Sequence, residues 1–469
     1  MTAPGGLSLS RVTVAAPKRR MDVALPDNML VGELLPHLLR HAGEDLADEG
    51  ERHGGWVLHR ATGATLEPNR NLTVQGVRDG ELLHLVPGRL DWPELAYDDV
   101  VEVIASGARH TGRSWGRLAT RRCGLAVAAT VFGVGLGGVL LSGPPWTVPA
   151  AAALGLAATL AIVGILLSRA LSDAAAGAVA AASGLPYAFL GGALLVAPEG
   201  LSPGRLGAPN LLLGSAMLLV FSVVGYTGVA AVQRLFMAGL VVSLAGGLAA
   251  QLCLAGMPPA GSAAVTMTAV LGLLPGYPLL ASWMGRLPVP ELPDRPEGIL
   301  EDRPVPARGD VFDAVARATE LLSGMLLAAA VVSACAIAFL VIAGGSAAAI
   351  LLSAAGSTAL LLRSRLFPTA QQRIPLLASG VAGLALLTLG GAIRAPAGGT
   401  RLGYVLAIAV AALVVLAAAL VYSRRSPSPY LGRIADIADV LAIMALIPLA
   451  CAEIGVFRAI QGLFASIGG

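Results

Sequence analysis

The chain has 469 residues, of which 56% are hydrophobic and 13% charged, with a formal net charge of +3 and a mean hydropathy of +0.75. This composition is far too apolar for a soluble protein of that length, so it predicts a polytopic membrane protein. The first 122 residues nevertheless hold 16 of the 29 acidic and 15 of the 32 basic residues. A polar head therefore precedes an apolar body.

The head, residues 1–88, has the pattern of a small α+β domain. LSRVTVAAP and RRMDVALP alternate apolar and polar residues around a short turn, which is typical of a hairpin with one wet face. Asp27 and Asn28 offer a cap for a helix in which leucines recur at helical spacing until Gly43. GWVLHR supplies a third strand and LTVQGVRDGELLHLV the last. The sequence therefore predicts a ββαββ order, with the helix covering the apolar face of the sheet.

The last strand of the head carries a specific resemblance. Its sequence Leu-His-Leu-Val, residues 83–86, together with the turn before it, looks like the end of ubiquitin. The resemblance implies a ubiquitin-like β-grasp fold for the head. The strand continues through Gly88 into Arg89, so it offers no free diglycine tail for conjugation. We therefore expect the head to be a binding or assembly domain.

The sheet face around His84 and Val86 is the usual recognition surface of ubiquitin-like folds. The resemblance therefore makes these two residues the candidates for a docking patch. The alternative is that Val86 packs in the core while His84 is merely solvated. Both interpretations stay open at the level of the sequence.

A juxtamembrane linker, residues 89–122, follows the head and ends in a basic stretch. WPELAYDDVVEVIAS has the pattern of an amphipathic helix, and arginines then recur every four residues, at Arg109, Arg113, Arg117 and Arg121, with Arg122 beside the last. On a helix these side chains form one stripe of mutually repelling charges, which predicts an anionic partner. Lipid headgroups against a positive-inside anchor and an acidic protein surface are both compatible with it.

The apolar body divides into eleven stretches that are each long enough to cross a bilayer. Six lie in residues 123–285 and five in residues 320–469. The predicted spans are 123–143, 147–168, 174–197, 210–231, 235–256, 262–285, 320–343, 346–363, 374–393, 402–423 and 434–457.

The distribution of arginines orients these spans. No secretory signal precedes the first apolar run, so we expect a cytoplasmic head. With eleven spans, 18 of the arginines from position 109 onward then fall on the cytoplasmic side and four outside, namely Arg205, Arg394, Arg401 and Arg458. This segregation follows the positive-inside rule. It predicts a multi-pass membrane protein with its amino terminus in the cytoplasm and its carboxyl terminus outside.

One loop is far longer than the other connections. Residues 286–319 are Pro-rich and acidic, and the predicted topology makes them cytosolic. Dense proline stiffens a chain into extended segments, which suits a strap laid along a partner. Glu301, Asp302 and Arg303 are the candidate contacts, and a disordered linker is the alternative.

Catalytic signatures are missing from the sequence. GVGLGG, residues 133–138, matches a dinucleotide-binding fingerprint, but it lies inside a span without a preceding strand. We interpret Gly133 and Gly137 as a surface for close helix packing. We predict no catalytic residue, no cofactor, no metal and no nucleic-acid partner.

Few ionisable residues fall within the spans, where they are costly and usually functional. Asp436 and Asp439 share one helix face, which allows two interpretations. The two carboxylates bind a proton or a cation, or they lie at a solvated helix start beside Arg433. Glu453 has Arg458 five residues on as a candidate partner. Prolines that break two spans, at 186 and at 275 and 278, keep a multi-span secondary transporter with a regulatory cytosolic domain as the alternative function.

The whole-chain pattern of a ubiquitin-like head, a linker and eleven spans resembles the EccD family of the type VII (ESX) secretion systems of mycobacteria, and most of all the member of the third, iron-linked system. The resemblance implies a non-catalytic scaffold in which two EccD copies pair within each protomer and enclose a lipid-filled vestibule. It also implies EccB, the ATPase EccC and EccE as partners, with the head docking near the base of EccC.

Overall fold

The computed structural model describes residues 9–17, 19–43, 55–60, 63–88, 115–198, 200, 206–288, 307–422 and 428–467. The chain divides into two compact units, Met1–Trp115 and Gly116–Gly469. We call them the head and the membrane domain, and each is described by itself.

The head contains one mixed four-stranded sheet and one helix. In chain order the elements are β1 Leu9–Ala15, β2 Arg20–Pro26, α1 Val31–Ala42, β3 Trp56–Arg60 and β4 Leu82–Pro87. The strand order is β2-β1-β4-β3, with β1 and β4 parallel and the two outer pairs antiparallel. This is the arrangement that the predicted ββαββ order requires.

Alternation along the strands gives the sheet one buried face. Val12 and Val14 of β1 and Leu83 and Leu85 of β4 are at most 2% exposed and form the centre of the core. Helix α1 covers this face with residues spaced by three and four, namely Val31, Leu34, Leu38 and Ala42. The side chains between them in the strands therefore point to the opposite, open face.

Two details of the head differ from the sequence prediction. The helix begins at Val31 rather than beside Asp27 and Asn28, and the Leu30 N–H donates to the Glu33 carboxylate at 3.4 Å. The first half of NLTVQGVRDGELLHLV is a series of turns, because Gly76 and Gly80 adopt left-handed backbone angles. Leu72 still fills the core from this turn region.

The membrane domain is entirely helical in its described parts. Its helices are α2 Arg117–Leu141, α3 Thr147–Arg169, α4 Ala174–Leu195, α5 Ala208–Gly228, α6 Gln233–Leu254, α7 Pro259–Gly272, α8 Tyr277–Met284, α9 Arg308–Phe339, α10 Ala347–Arg363, α11 Ala370–Arg394, α12 Gly399–Tyr422, α13 Pro429–Ile454 and α14 Val456–Ile467. A turn at Leu274–Gly276 separates α7 from α8, and the two together form one candidate span.

Eleven of these helical segments in the described chain are long and apolar enough to cross a membrane, as the sequence predicts. Most ends lie within a few residues of the predicted ones. Helix α9 differs most, because it begins at Arg308, inside the segment 286–319 that we interpret as a loop. Another unpredicted element is α14, which follows α13 after Gly455.

Small residues let two of the membrane helices approach closely. Around Gly164 of α3 and Gly177 of α4 the backbones approach so closely that a Cβ added to either glycine would lie under 3.0 Å from the other's carbonyl oxygen. Helix α4 and helix α9 are the most deeply buried spans. Helices α2 and α12 bury no residue against the described parts of the chain.

Candidate interaction surfaces

The open face of the head sheet contains both predicted docking residues. In the sheet register Val86 lies opposite Val57, and His84 lies between Ala15 and His59. All these side chains are partly exposed, and Val86 is absent from the core that α1 covers. The alternative that packs Val86 in the core is therefore wrong. We call Ala15, Val57, His59, His84 and Val86 the open-face patch.

Polar groups border the open-face patch on the side of β2. Thr13 donates its hydroxyl hydrogen to Asp22 across the two strands at 2.6 Å. On the side of β3, the Thr65 hydroxyl lies 3.2 Å from His59 Nε2. An apolar centre with a polar border is the usual composition of a protein-binding surface. The patch is thus suited chemically to docking, and its imidazoles can donate or accept hydrogen bonds.

The basic stripe is partly satisfied within the chain. Arg117, Arg121 and Arg122 lie in the first two turns of α2, whereas Arg109 and Arg113 lie outside the described residues. Arg121 donates to the Asp173 carboxylate at the start of α4. The anionic partner of this arginine is therefore intramolecular, while the side chains of Arg117 and Arg122 are exposed in the described chain.

The Asp173 carboxylate makes two contacts at this position. Its carboxylate caps α4 by accepting the Ala176 N–H at 3.0 Å, and it also receives Arg121. The hydrogen bond from Ala176, assisted by Arg121, holds the pKa of Asp173 below its ordinary value of 3.8. The charged carboxylate thus joins α2 to the start of α4.

The glycine motif of α2 packs through a different residue from the two that the sequence suggests. A Cβ added to Gly133 or Gly137 would meet no described atom within 4 Å. Gly135 between them instead lies against the hydroxyl of Tyr187, which donates to the Phe132 carbonyl at 2.6 Å. Within the described chain, α2 therefore contacts α4 through Gly135, and Gly133 and Gly137 are open.

Polar contacts also tie several helices together at the end of the bundle where α6, α9 and α11 have their amino-terminal parts. Arg234 lies 3.3 Å from Glu320 and donates to the Gln371 side-chain oxygen at 2.6 Å. Three helices distant in sequence thus meet at one guanidinium. The planar, multi-donor guanidinium group suits such a junction.

The two aspartates at the start of α13 belong to the same end of the bundle. Asp436 accepts from Arg365 at 2.8 Å, and Asp439 lies 3.4 Å from Arg363, with both side chains of the second pair under 20% exposed. The partners of these aspartates are therefore arginines at the end of α10 and just after it, rather than Arg433. These pairs fasten α13 to α10.

The opposite end of the bundle has its own polar links. The Ser346 hydroxyl donates to the Glu453 carboxylate, joining the start of α10 to the end of α13. Arg394 donates to the Val341 carbonyl at the end of α9. The partner of Glu453 in the described chain is therefore Ser346, and not Arg458 as the sequence suggests.

Two groups of side chains remain, the predicted contacts of the Pro-rich segment and the side chains that could bind a metal ion. Glu301, Asp302 and Arg303 lie outside the described residues. Within the described ranges, no group of three His, Cys, Asp or Glu side chains is placed to hold a metal ion. The described geometry thus consists of packing surfaces and helix-joining ion pairs.

Comparison with known families accounts for this architecture. The family model described as EccD-like transmembrane domain matches residues 120–463, which is more than two thirds of the chain. The chain belongs to the EccD family. A second model, that of protein YukD of the WXG100 protein secretion system, matches residues 9–85. The predicted fold class, a ubiquitin-like head followed by an eleven-span helical domain, is thereby confirmed.

A curated relative agrees with the EccD assignment over part of its length. The ESX-4 secretion system protein eccD4 of Mycobacterium tuberculosis is 33% identical over 136 residues, in both the CDC 1551 and the H37Rv strains. The alignment spans 28% of this chain and 28% of the relative. Assignment to the third ESX system stays a prediction, since this EccD relative comes from the fourth.

Two solved structures share the fold of this EccD chain. Protomer 1 of the ESX-3 core complex aligns with a TM-score of 0.59 at 23% identity, over 96% of this chain and 100% of that one. The MycP5-free ESX-5 inner membrane complex, State II, aligns with a TM-score of 0.53 at 20% identity, over 88% and 99%. The chain is thus a multi-pass membrane protein whose fold occurs in ESX complexes.

Proposed function

We propose that this EccD-family chain is a non-catalytic structural subunit of a type VII (ESX) secretion complex in the bacterial inner membrane. The observation that carries the proposal is the order of the two family matches, a YukD-type head at residues 9–85 and an EccD-type membrane domain at 120–463. That order joins a protein-binding module to a membrane bundle in one chain. In this function the chain is a scaffold, and the ATPase EccC supplies the energy.

The head docks the secretion ATPase in this proposal. The open-face patch has an apolar centre, Val57 and Val86, and two partly exposed histidines. Such a surface is suited to a protein contact with an apolar centre and a polar border. EccB and EccE are the further membrane partners. The head lies in the cytoplasm and the carboxyl terminus in the periplasm, as the arginine distribution favours.

Charged segments add contacts to partners and lipids. Arg117 and Arg122 are exposed at the start of α2, and we assign them, with Arg109 and Arg113, to anionic headgroups or an acidic subunit surface. We assign Glu301, Asp302 and Arg303 of the Pro-rich segment to a contact with a partner. The division into residues 1–88, 89–122, 123–285, 286–319 and 320–469 belongs to the same proposal.

A second copy of the chain pairs with the first through the membrane domain. Helices α2 and α12 are apolar and have no fully buried residue within the described chain, and the space beside Gly133 and Gly137 is open. Glycines at this spacing permit close approach of another helix. The pair encloses a lipid-filled vestibule, as the resemblance to the family implies.

The secondary-transporter alternative is less well supported. It is based on prolines expected to break two spans, and it needs functional carboxylates in or near the spans. The break at Leu274–Gly276 is present, but helix α4 continues through Pro186. The described contacts engage the carboxylates. Asp436 and Asp439 pair with arginines that fasten α13 to α10, and Glu453 accepts from Ser346. These contacts favour a structural role for the three residues.

Co-purification tests the docking proposal. We would substitute Val86→Asp in the full-length tagged protein and compare it with Val74→Asp, which changes a valine that is 68% exposed and outside the open-face patch. A buried charge in a contact costs far more than a solvated one, so we expect several-fold less EccC with V86D and an unchanged amount with V74D. The measurement is quantitative mass spectrometry of the complex purified in mild detergent.

The amount of EccB and EccE provides the internal control for that experiment. If the membrane partners stay at wild-type levels in both variants, the membrane domain is intact and the EccC signal reports on the head. Equal EccC recovery with V86D and V74D would contradict docking through this face. A wild-type chain that arrives without any membrane partner would contradict the scaffold itself.

A further inference from the structure

The carboxyl-terminal helix α14 differs in character from the spans before it. The sequence VFRAIQGLFASI, residues 456–467, repeats apolar residues at intervals of three and four, so they gather on one side of a helix. The preceding spans are apolar all round. A helix of twelve residues is also too short to cross a bilayer, which needs about 20.

The position of α14 is fixed by the end of the last span. Helix α13 has 26 residues, which at about 1.5 Å per residue is enough to cross a hydrocarbon core of about 30 Å. Gly455 ends it in a left-handed conformation with φ +88°, and the Gly455 carbonyl accepts the Ala459 N–H of the next helix at 3.0 Å. The backbone thus ends one helix and starts another at the level where a span meets water.

The described side chains on the apolar side of α14 are partly exposed. Val456, Phe457 and Ile460 lie within an arc of about 100° on a helix, and they are 37%, 48% and 44% exposed. Arg458 falls on the other side of the helix, and Gln461 lies at the border between the two sides. Phenylalanine and aliphatic side chains with a basic residue opposite are the composition of helices that lie in a membrane interface.

We propose that α14 is an interfacial anchor that lies in the plane of the bilayer. Its apolar side is inserted at the boundary between headgroups and acyl chains, and Arg458 faces the headgroups and water. The partner is a lipid surface, because the preceding residue terminates a transmembrane helix and the exposed apolar side chains begin immediately after it. The anchor fixes the end of α13, which carries Glu453 and its contact with Ser346.

Spin-label depth measurements on the full chain in lipid nanodiscs test this proposal. In a variant whose four native cysteines are changed to alanine, single cysteines would carry the label at Phe457, Arg458, Ile460 or Gln461. We expect the ratio of oxygen to water-soluble nickel-complex collisions to be several-fold higher at 457 and 460 than at 458, with an intermediate value at 461. Labels at Ile447 in mid-span and at Val74 in the head, both strongly exposed, calibrate the lipid and water limits.

Each other pattern would overturn the proposal. High nickel accessibility at all four positions means that α14 lies in water. Low collision rates with both reagents at 457 and 460 mean that protein covers this side, either a second copy or another subunit. Thermal unfolding of the unlabelled cysteine-free variant, compared with wild type, establishes that the membrane domain is intact before labelling.

Discussion

Helices α9 and α12 are almost equally apolar, yet they occupy opposite situations in the bundle. In the most apolar stretch of α9, 61% of the residues are buried within the protein. In the corresponding stretch of α12, 0% of the residues are buried against the described chain. Hydropathy therefore does not separate the inner from the outer helices. In a bilayer this is expected, because lipid tails are as apolar as leucine and provide no hydrophobic force between helices.

What distinguishes the contact between α3 and α4 is the close approach of their backbones. Helix α4 is rich in glycine and alanine, and the crossing of Gly164 and Gly177 brings it against α3 at backbone contact. Close approach lets many weak van der Waals contacts accumulate along a helix pair. Helices α3 and α4 are thus held by continuous packing at their crossing, where the backbones meet.

Helices with little burial are held by a few polar links instead. Helix α13 buries only Leu446 and Ala450 within the described chain and is joined to α10 by two ion pairs. Helix α2 is joined to α4 by Tyr187 and by the pair of Arg121 with Asp173. The comparison implies that inner helices are sensitive to added volume and outer helices to the loss of a polar partner.

Loss of the more buried ion pair of α13 should have the largest effect. In Asp439→Asn, the Arg363 charge, only 12% exposed, would be left without its partner, so we expect a loss of about 3 kcal/mol in the free energy of unfolding. Asp436→Asn is the matched control, because Asp436 is 71% exposed and its pair should contribute about 1 kcal/mol or less. Unfolding in detergent micelles titrated with dodecyl sulfate measures both.

A double-mutant cycle shows whether the effect belongs to the pair. Arg363→Gln combined with Asp439→Asn removes both charges, so the double variant should be more stable than the sum of the single losses implies. Equal losses for D439N and D436N would show that apolar packing, rather than the ion pair, holds α13.

Added volume should be costly between inner helices and harmless on α2. In Gly177→Ala, the new Cβ would lie 2.5 Å from the Gly164 carbonyl oxygen, so α3 and α4 must separate and we expect a loss of about 2 kcal/mol. Gly137→Ala adds the same methyl group where no described atom lies within 4 Å. There the higher helix propensity of alanine should leave stability unchanged or raise it by up to about 1 kcal/mol. The same micelle titration measures the difference.

A destabilised G137A variant would change the interpretation of α2. In the monomeric chain it would mean that another helix lies beside Gly137. If the loss appeared only at protein concentrations where copies associate, it would place Gly137 in the contact between copies, as we propose. A neutral G177A would contradict the claim that close backbone approach holds the inner helices.

The sequence predicts much of the fold but little of the polar network. The head strands and the eleven spans follow from periodicity and length, which are local properties. The links Arg121–Asp173 and Ser346–Glu453 join residues 52 and 107 positions apart, and no local pattern pairs them. One signal was available: Asp173 directly precedes the run AAAG, where an acidic residue is a favourable helix cap. The amphipathic period of α14 was likewise visible.

The smallest effect should come from the exposed link of Asp173, and it should depend on pH. Because the Ala176 N–H and Arg121 lower the pKa of Asp173 in the folded protein, its stabilisation is complete above the ordinary value of 3.8 and is lost as pH falls through the lower folded value. Asp173→Asn keeps a capping side chain but removes the charge. We therefore expect D173N to be slightly less stable than wild type at neutral pH. We expect the melting temperatures of D173N and wild type to converge in acid. If the difference in melting temperature persisted unchanged below pH 3.8, the effect would come from the cap geometry and not from the charge. The pair of Arg121 with Asp173 would then not hold α2, which would need another polar link to α4 besides Tyr187.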